Sequence, residues 1–422
     1  MKKSDIIKVK NEYWFVNLMC VLFTALLFMR DVYGIGVNKY IFVFLTLIIT
    51  VYADLPKLIC FIAFIMPLYV GLPGNYMTII FLIKFLACYK EIRFKFSSFV
   101  VTVLVICYFL LQCLVTNYTT FAHLAFVPGV LLVFLMFWYK GKVNFDKINY
   151  MYVCGVAVTG LIMLVSTLQT TELVDLMDAT RRLGTKPDDM IEIVMKVSLD
   201  PNFYGLFAIS AISSSFNLIY KKMAVFKKIF LIAAIASCLC VALIGLSRAF
   251  LLVLAIWGVF MTISQRKGTY LIAFLVILLV GFLLVSWFLP DVVDGLITRF
   301  NDADMATGNN RTTLTAKFTH EWLETIWSAF FGVGMYNCNV HCMPLQYLFG
   351  GGFVFSILML IFVFSLKSNK THNKLIDYVP LFAAFIMSCT VPVATSLTFM
   401  FPLVIVLYNL YNNSKGCLNE PS

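Results

Sequence analysis

The stretch from Ser97 to Thr116 reads SSFVVTVLVICYFLLQCLVT, twenty consecutive residues without a charged side chain. A helix of that length spans about 30 Å, the thickness of the hydrocarbon core of a bilayer. Arg93 and Lys95 precede it, as is typical where a transmembrane helix starts on the cytoplasmic side. The stretch therefore predicts a membrane-spanning helix, and similar runs recur along the chain.

Composition extends this prediction to the whole molecule. Hydrophobic residues make up 61% of the 422 positions and charged residues only 13%, which is too little polar surface for a soluble globule of this size. We expect an all-α polytopic membrane protein with about 12 to 14 transmembrane helices, because the last two runs could form one hairpin. The fourteen apolar runs are 13–29, 40–53, 57–72, 75–90, 97–116, 121–139, 149–168, 201–220, 229–246, 249–264, 269–289, 345–366, 378–395 and 397–411.

Basic residues predict the orientation, because Lys and Arg concentrate in cytoplasmic loops. With a cytoplasmic N-terminus, all basic clusters in the short loops fall on the cytoplasmic side. The net charge of +11 then reflects topology and gives no indication of nucleic-acid binding. We expect a single transmembrane domain over residues 1–412, with long outward loops at 169–200 and 290–344, and a cytoplasmic tail at 413–422. The basic clusters are Lys90/Arg93/Lys95, Lys140/Lys142/Lys147, Lys221/Lys222/Lys227/Lys228, Arg266/Lys267 and Lys367/Lys370/Lys374.

The second outward loop ends in GVGMYNCNVHCMPLQYLFGG, residues 332–351, which contains an isolated histidine. His341 has three interpretations: a structural histidine, a general base, or a metal ligand together with Cys338 and Cys342. No second cluster of suitable ligands stands on the outer face, so we expect no metal. A disulfide between Cys338 and Cys342 stays open. The segment from Arg311 to Phe331 predicts one amphipathic helix that ends at Gly332.

Other polar groups gather at the outer ends of the predicted helices. Arg248 lies at an outer turn, where it could anchor the interface, pair with a carboxylate, or bind a diphosphate. Arg181 and Arg182 belong to the first outward loop and are either solvated or ligand-binding. Asp200-Pro201-Asn202 has the pattern of a helix cap, and Asn202 could in addition face a ligand.

Taken in chain order, these motifs resemble the O-antigen polymerase and O-antigen ligase superfamily of bacterial surface-polysaccharide assembly. The resemblance covers about residues 180–360 and departs from the family at Ala249, where Gly is usual, and at Cys342, where ligases commonly have Asn. The matching motifs are Arg182-Leu183-Gly184, Asp200-Pro201-Asn202, Ser247-Arg248, Asn310-Arg311, Gly332-Val333-Gly334, His341, Gln346 and Gly350 to Gly352.

The resemblance implies a GT-C-like bundle with a large, partly helical periplasmic loop in the bacterial inner membrane. It implies a glycosyltransferase without a cofactor that uses undecaprenyl-diphosphate-linked oligosaccharides on the periplasmic face. Membrane lipids and a regulator of chain length are further partners that it implies. The implied roles are a diphosphate clamp of Arg248, Arg182 and Arg181, a second donor or loop anchor at Arg311, a base at His341, and reserve bases or positioning groups at Glu321, Asp200 and Asn202.

Three activities remain open. A polymerase would join lipid-linked repeat units, and the departure at Cys342 favours it over a ligase that transfers polymer to a lipid A-core sugar. A flippase for the same lipid also has about fourteen spans, but it should not need a large structured outer loop. Such a transporter usually has charged residues near the middle of the membrane, and these are missing from the predicted spans.

Overall fold

The computed structural model describes residues 13–169, 197, 199–245, 247–265, 287, 311–367, 375–391 and 395–412. Within these ranges the chain forms α-helices, three short 3₁₀ segments and one isolated bridge between Ile92 and Tyr139. The 3₁₀ segments are Met66–Gly71, Tyr89–Glu91 and Phe216–Tyr220. The helices are α1 Trp14–Asp31, α2 Lys39–Tyr52, α3 Leu55–Ile65, α4 Gly74–Ala87, α5 Phe96–Val115, α6 Phe121–Leu124, α7 Phe126–Trp138, α8 Phe145–Leu168, α9 Pro201–Ser215, α10 Val225–Ile244, α11 Arg248–Gln265, α12 Arg311–Leu323, α13 Ile326–Phe331, α14 Met343–Ser365, α15 Leu375–Ser388 and α16 Leu397–Asn412.

The chain is an all-α polytopic membrane protein, as the sequence predicts. Among the described residues, six helices are long and apolar enough to cross a bilayer: α1, α5, α8, α9 with its 3₁₀ extension, α10 and α14. Seven shorter apolar helices accompany them. Thirteen of the fourteen predicted runs coincide with these helices, and the run at 269–289 lies outside the described residues except for Trp287.

Contacts between distant parts of the chain sort into two ends of the bundle. At one end the Lys221 ammonium bonds Asp146 over 2.7 Å and the Asn409 side chain donates to Asn149 over 2.7 Å. Of the loops that the positive charges predicted to be cytoplasmic, those around Arg93, Lys140 and Lys221 contact one another at this basic end. At the opposite end, the Val197 N–H donates to Asp31 over 3.0 Å. We call this the site end, because the candidate site described below lies there. The helices therefore alternate in direction as the charge pattern predicted.

Helix α8 packs closely against three other helices, α3, α9 and α10. A Cβ on Gly155 of α8 would lie 2.1 Å from the Phe64 carbonyl oxygen, so only glycine allows α3 and α8 to approach so closely. Small residues at such crossings are how membrane helices gain van der Waals contact in the absence of a hydrophobic driving force.

A buried ion pair closes the site end of α1. Arg30 Nη2 donates to Asp31 over 2.9 Å, and Arg30 Nη1 donates to the Gly71 carbonyl over 2.6 Å. The two side chains are only 3% and 1% exposed. Asp31 also accepts from the N–H of Val197. The pair therefore connects α1 to the 3₁₀ segment that follows α3 and to the segment that leads into α9.

Candidate functional site

The first element of the site is the start of α9. The Asp200 carboxylate accepts from the Asn202 N–H over 2.8 Å, and Pro201 occupies the first turn of the helix. This confirms that Asp-Pro-Asn caps the helix, because a capping carboxylate satisfies an amide that the helix leaves without a partner.

A second predicted motif meets this cap directly. The Ser247 hydroxyl donates to the Asn202 side-chain oxygen over 2.8 Å and accepts from the Phe250 N–H over 3.2 Å. Ser247 itself is buried. The Asp-Pro-Asn and Ser-Arg motifs, far apart in sequence, therefore form one hydrogen-bonded unit at the starts of α9 and α11.

A cavity of about 830 Å³ lies at the site end between α12, the start of α14 and the end of α15. That volume is in the range of small-molecule sites. One face of α12 forms its longest wall, with residues three or four apart turned toward the cavity. The lining residues are Arg311, Thr312, Thr315, Ala316, Thr319, His320 and Leu323 of α12, Glu324 directly after it, His341, Cys342 and Leu345 around the start of α14, and Cys389 after α15.

The electrostatics of His341 connect this cavity to the start of α9. Partial burial lowers the pKa of His341 below its usual value, the charge of Arg311 lowers it further, and the carboxylate of Asp200 acts in the opposite direction. The imidazole is therefore neutral at pH 7, which is the form that can accept a proton. Asp200 is not among the lining residues, so its charge acts on His341 from outside the cavity wall.

The wall helix departs from its prediction. The sequence predicted one helix from Arg311 to Phe331, but the chain forms α12 and α13, separated at Glu324 and Thr325. Thr325 starts the second helix with a reciprocal cap: its hydroxyl accepts from the Ser328 N–H, and the Ser328 hydroxyl accepts from the Thr325 N–H. This cap redirects the chain, so Phe318 and Trp322 of α12 are buried while Ile326 of α13 is 70% exposed.

The glycine motifs lock the outer segment onto a break in α14. Gly352 has a φ of 71°, and the Val333 and Gly334 N–H groups donate to the Phe349 and Gly350 carbonyls over 2.9 Å each. A Cβ on Gly332 would lie 2.2 Å from the Gly350 oxygen. The Gly-x-Gly and triple-glycine motifs are therefore two halves of one backbone contact, which we call the glycine clasp.

Two side chains of α5 complete the glycine clasp. Gln112 donates to the Phe331 carbonyl over 2.6 Å, and the Tyr108 hydroxyl donates to the Gly351 carbonyl over 2.9 Å. They satisfy one carbonyl at the end of α13 and one at the break in α14, because irregular backbone in a membrane protein needs hydrogen-bond partners. The clasp holds the chain just before His341 in a fixed place.

Comparisons with family models, with curated proteins and with solved structures find no match to this chain.

The predicted arginines fall into three groups. Arg311 lines the cavity. Arg248 opens α11 next to Ser247 and is not among the lining residues. Arg248 lies two residues before Phe250. A Cβ on Gly205 of α9 would lie 3.2 Å from Phe250 Cβ and 2.7 Å from Met387 Cε of α15, so Phe250 and Met387 both pack against α9 at Gly205. The starts of α9 and α11 and the end of α15 thus meet, which places Arg248 at the site end. Arg181 and Arg182 lie outside the described residues.

The predicted acidic residues also differ in their position relative to the cavity. Asp200 acts on His341, as described above, whereas Glu321 is not among the lining residues and pairs with Lys317 of the same helix over 3.8 Å. Glu324, three positions later, lines the cavity instead.

Among the lining residues with titratable side chains, sequence reasoning missed three: His320, Glu324 and Cys389. The segment HEWLE, from His320 to Glu324, lacks the second histidine of a zinc-protease motif, so its pattern indicates only a polar helix face. Both residues lie on the same helical face as Arg311, in a series of positions three or four apart, and this spacing was the signal that could have identified them. Cys389 lies outside the predicted motifs, and no local pattern distinguishes it from the cysteines of the spans.

The disulfide between Cys338 and Cys342 that the sequence left open is not formed. Cys338 is 1% exposed and packs with Phe318 and Trp322 in a small second core. Cys342 faces the cavity with Cys389 instead. All the cysteines in the described ranges are free thiols. No group of three or more His, Cys, Asp or Glu side chains in these ranges is arranged to hold a metal ion.

Proposed function

We propose that this protein is a glycosyltransferase that joins lipid-diphosphate-linked oligosaccharide repeat units into a surface polysaccharide. The site end would face the periplasm of the bacterial inner membrane. The observation that carries the proposal is the imidazole of His341 in one cavity with the guanidinium of Arg311, where burial and the charge of Arg311 lower the pKa of His341. A resemblance to the O-antigen polymerase and ligase superfamily in the order of the site motifs adds support.

The chemistry needs two groups that the cavity can provide. A hydroxyl of the acceptor sugar attacks the anomeric carbon of the donor, the bond from that carbon to the diphosphate oxygen breaks, and undecaprenyl diphosphate leaves. A positioned base for the hydroxyl proton contributes about 10²- to 10⁴-fold in rate. A cation near the departing diphosphate stabilises the charge that develops there.

His341 is the proposed base. Its lowered pKa keeps the imidazole unprotonated at neutral pH, and its place at the cavity wall makes it reachable by an acceptor hydroxyl. The glycine clasp fixes the preceding segment, which limits movement of the base relative to the donor. Asn202 and Ser247 hold the cap of α9 in place, so we assign them to positioning.

Arg311 is the proposed ligand of the leaving diphosphate, because a planar guanidinium matches phosphate oxygens. Arg248 is the second proposed ligand, from the adjacent starts of α9 and α11. Arg181 and Arg182 would complete the clamp from the first outward loop.

The test is polymerisation by purified protein in proteoliposomes with a synthetic undecaprenyl-diphosphate oligosaccharide as both donor and acceptor. We expect a ladder of products, and we expect His341→Gln to slow it by about a hundredfold or more. His123→Gln is the matched control, because His123 is a histidine outside the cavity lining. A wild-type rate in His341→Gln would refute the assignment of the base.

The acceptor separates the two related activities. A lipid A-core acceptor, added in a parallel reaction, would be elongated by a ligase and ignored by a polymerase. Movement of the lipid across the liposome without any new glycosidic bond would instead identify a flippase and contradict the proposal.

A further inference from the structure

The two thiols that line the cavity are not used by the proposed chemistry. Cys342 directly follows His341 and occupies the N-cap position of α14. Cys389 directly follows the end of α15. Both face the same cavity, and neither side chain is fully buried. The two residues are 47 positions apart in the sequence, at the start of α14 and after the end of α15, so the fold and not local sequence brings them to one cavity.

We propose that Cys342 and Cys389 form a reversible intramolecular disulfide that narrows the cavity beside His341. The bond would tie the start of α14 to the end of α15 and hold two walls of the cavity together. It would replace the pairing of Cys338 with Cys342 that the sequence left open, because Cys338 is buried against Phe318 and Trp322.

Reactivity in this pair is unequal, which suits thiol exchange. The neighbouring Cys389 thiol lowers the pKa of Cys342 to about 7, and the Leu345 N–H in the first turn of α14 adds to this effect while burial opposes it. The pKa of Cys389 rises, chiefly because of Cys342. Cys342 is therefore the nucleophilic thiolate of the pair and Cys389 the thiol that completes the bond.

The reaction balances with an external disulfide as the oxidant. The Cys342 thiolate attacks one sulfur of the external disulfide, which releases one thiolate and leaves a mixed disulfide on Cys342. Cys389 then loses its proton and attacks the Cys342 sulfur, which releases the second external thiolate. Two protein thiols are oxidised and one external disulfide is reduced. An outward-facing site end would place the pair in an oxidising compartment.

The first test uses full-length protein in detergent, treated with oxidised glutathione and then with an alkylating agent. Peptide mass spectrometry should find Cys342 linked to Cys389, and dithiothreitol should reverse the link. The link should disappear in C342S and in C389S and persist in C338S, the matched control. Free thiols at both positions after oxidation, or a link from Cys338 to Cys342, would overturn the proposal.

The second test measures access to the cavity without any enzymatic assay. Diethyl pyrocarbonate modifies neutral imidazoles, so its rate at His341 reports the opening of the cavity. We expect a severalfold slower modification of His341 in the oxidised protein, no change at His123, and no effect of oxidation in C389S. An equal rate at His341 in both redox states would contradict the narrowing.

The effect on catalysis rests on the proposed function, and its failure can be told apart. Oxidised wild type should extend chains about tenfold more slowly than reduced protein or than C389S, because small displacements of a catalytic group cost that much or more. A protein that forms the link and protects His341 but never polymerises refutes the proposed glycosyltransferase and supports the thiol pair. A linked protein that polymerises at the full rate refutes the thiol pair as a control of turnover.

Discussion

The ionisation of His341 depends on neighbours from two other elements, Arg311 of α12 and Asp200 before α9. Arg311 lowers the pKa of His341 and Asp200 raises it, in addition to the lowering caused by burial. A base must be unprotonated to act, so activity should fall as the pH drops through the pKa of His341. Arg311 therefore moves the acid limit of activity to lower pH, and Asp200 moves it to higher pH.

Exchanging these neighbours gives a signed prediction. Arg311→Gln removes a lowering charge, so the midpoint for His341 should move to higher pH. Asp200→Asn removes a raising charge while it retains a capping side chain, so the midpoint should move to lower pH. The pH dependence of diethyl pyrocarbonate modification of His341 measures both shifts. Lys317→Gln, a lost cation outside the cavity lining of the same helix, should leave the midpoint unchanged; a shift as large as that of Arg311→Gln would contradict the assignment.

The glycine clasp gives a graded prediction of stability. Gly332→Ala combines a φ of 79° with a Cβ only 2.2 Å from a carbonyl oxygen, so it should lower the thermal midpoint of the solubilised protein the most. Gly34→Ala imposes a φ of 68° in open space and should cost about 1 kcal/mol. Gly36→Ala has neither problem and serves as the control. Equal midpoints for all three variants would show that the clasp is not rigid.

Single residues of the site were predictable only in part. Asp200 and His341 stood out because polar side chains at the ends of apolar runs need a reason, and Arg311 stood out through the resemblance of Asn310-Arg311 to the family motif. The identity of the thiol partner was not predictable, because Cys389 resembles the many cysteines that pack as small apolar residues. Glu321 lies in α12 and Glu324 directly after it, and the packing of Phe318 and Trp322, which is not visible in the sequence, determines which of them faces the cavity.

Elements that cross the membrane were predictable from hydropathy, since lipid imposes length and apolar composition on them. The break between α12 and α13 was not, because the apolar spacing continues across it. What ends α12 is the reciprocal cap of Thr325 and Ser328, a short-range hydrogen-bond preference that competes with amphipathic periodicity. The result is a wall helix that lines the cavity and a second helix with an exposed apolar face.

This cap is testable at the level of the element. Thr325→Ala should destabilise α13 by about 1 kcal/mol, because the Ser328 N–H loses its acceptor. Amide hydrogen exchange in residues 326–331 should become faster. Thr313→Ala, at an exposed position of α12, is the matched control and should not change that exchange. Unchanged exchange in Thr325→Ala would mean that membrane contact alone holds α13.

At the scale of the whole molecule, charge distribution and structure agree on which loops share an end. Lys147 contacts Asn17 of α1 over 3.3 Å, and Asn409 of α16 bonds Asn149, so α1 begins and α16 ends at the basic end. Hydropathy alone could not have established this, because an error of one span reverses all later loops. The independent signal from Lys and Arg made the alternation predictable.

The same arrangement predicts the sidedness of the termini. Green fluorescent protein fused to either terminus should fluoresce, and alkaline phosphatase fused to either should be inactive, because basic loops remain in the cytoplasm. Reporter results that differ between the two termini would contradict the parity of the bundle. Active phosphatase at both would invert the protein and place the cavity in the cytoplasm.

The buried pair of Arg30 and Asp31 also bears on how the chain is assembled during synthesis. Because the two residues are adjacent, their opposite charges neutralise each other as soon as α1 emerges from the ribosome. Their later partners, Gly71 and Val197, are translated much later, when further helices have already entered the bilayer. Replacing Asp31 with Asn should therefore hinder insertion of the newborn first helix before it disturbs the finished protein, and pulse-labelled integration intermediates would reveal the difference.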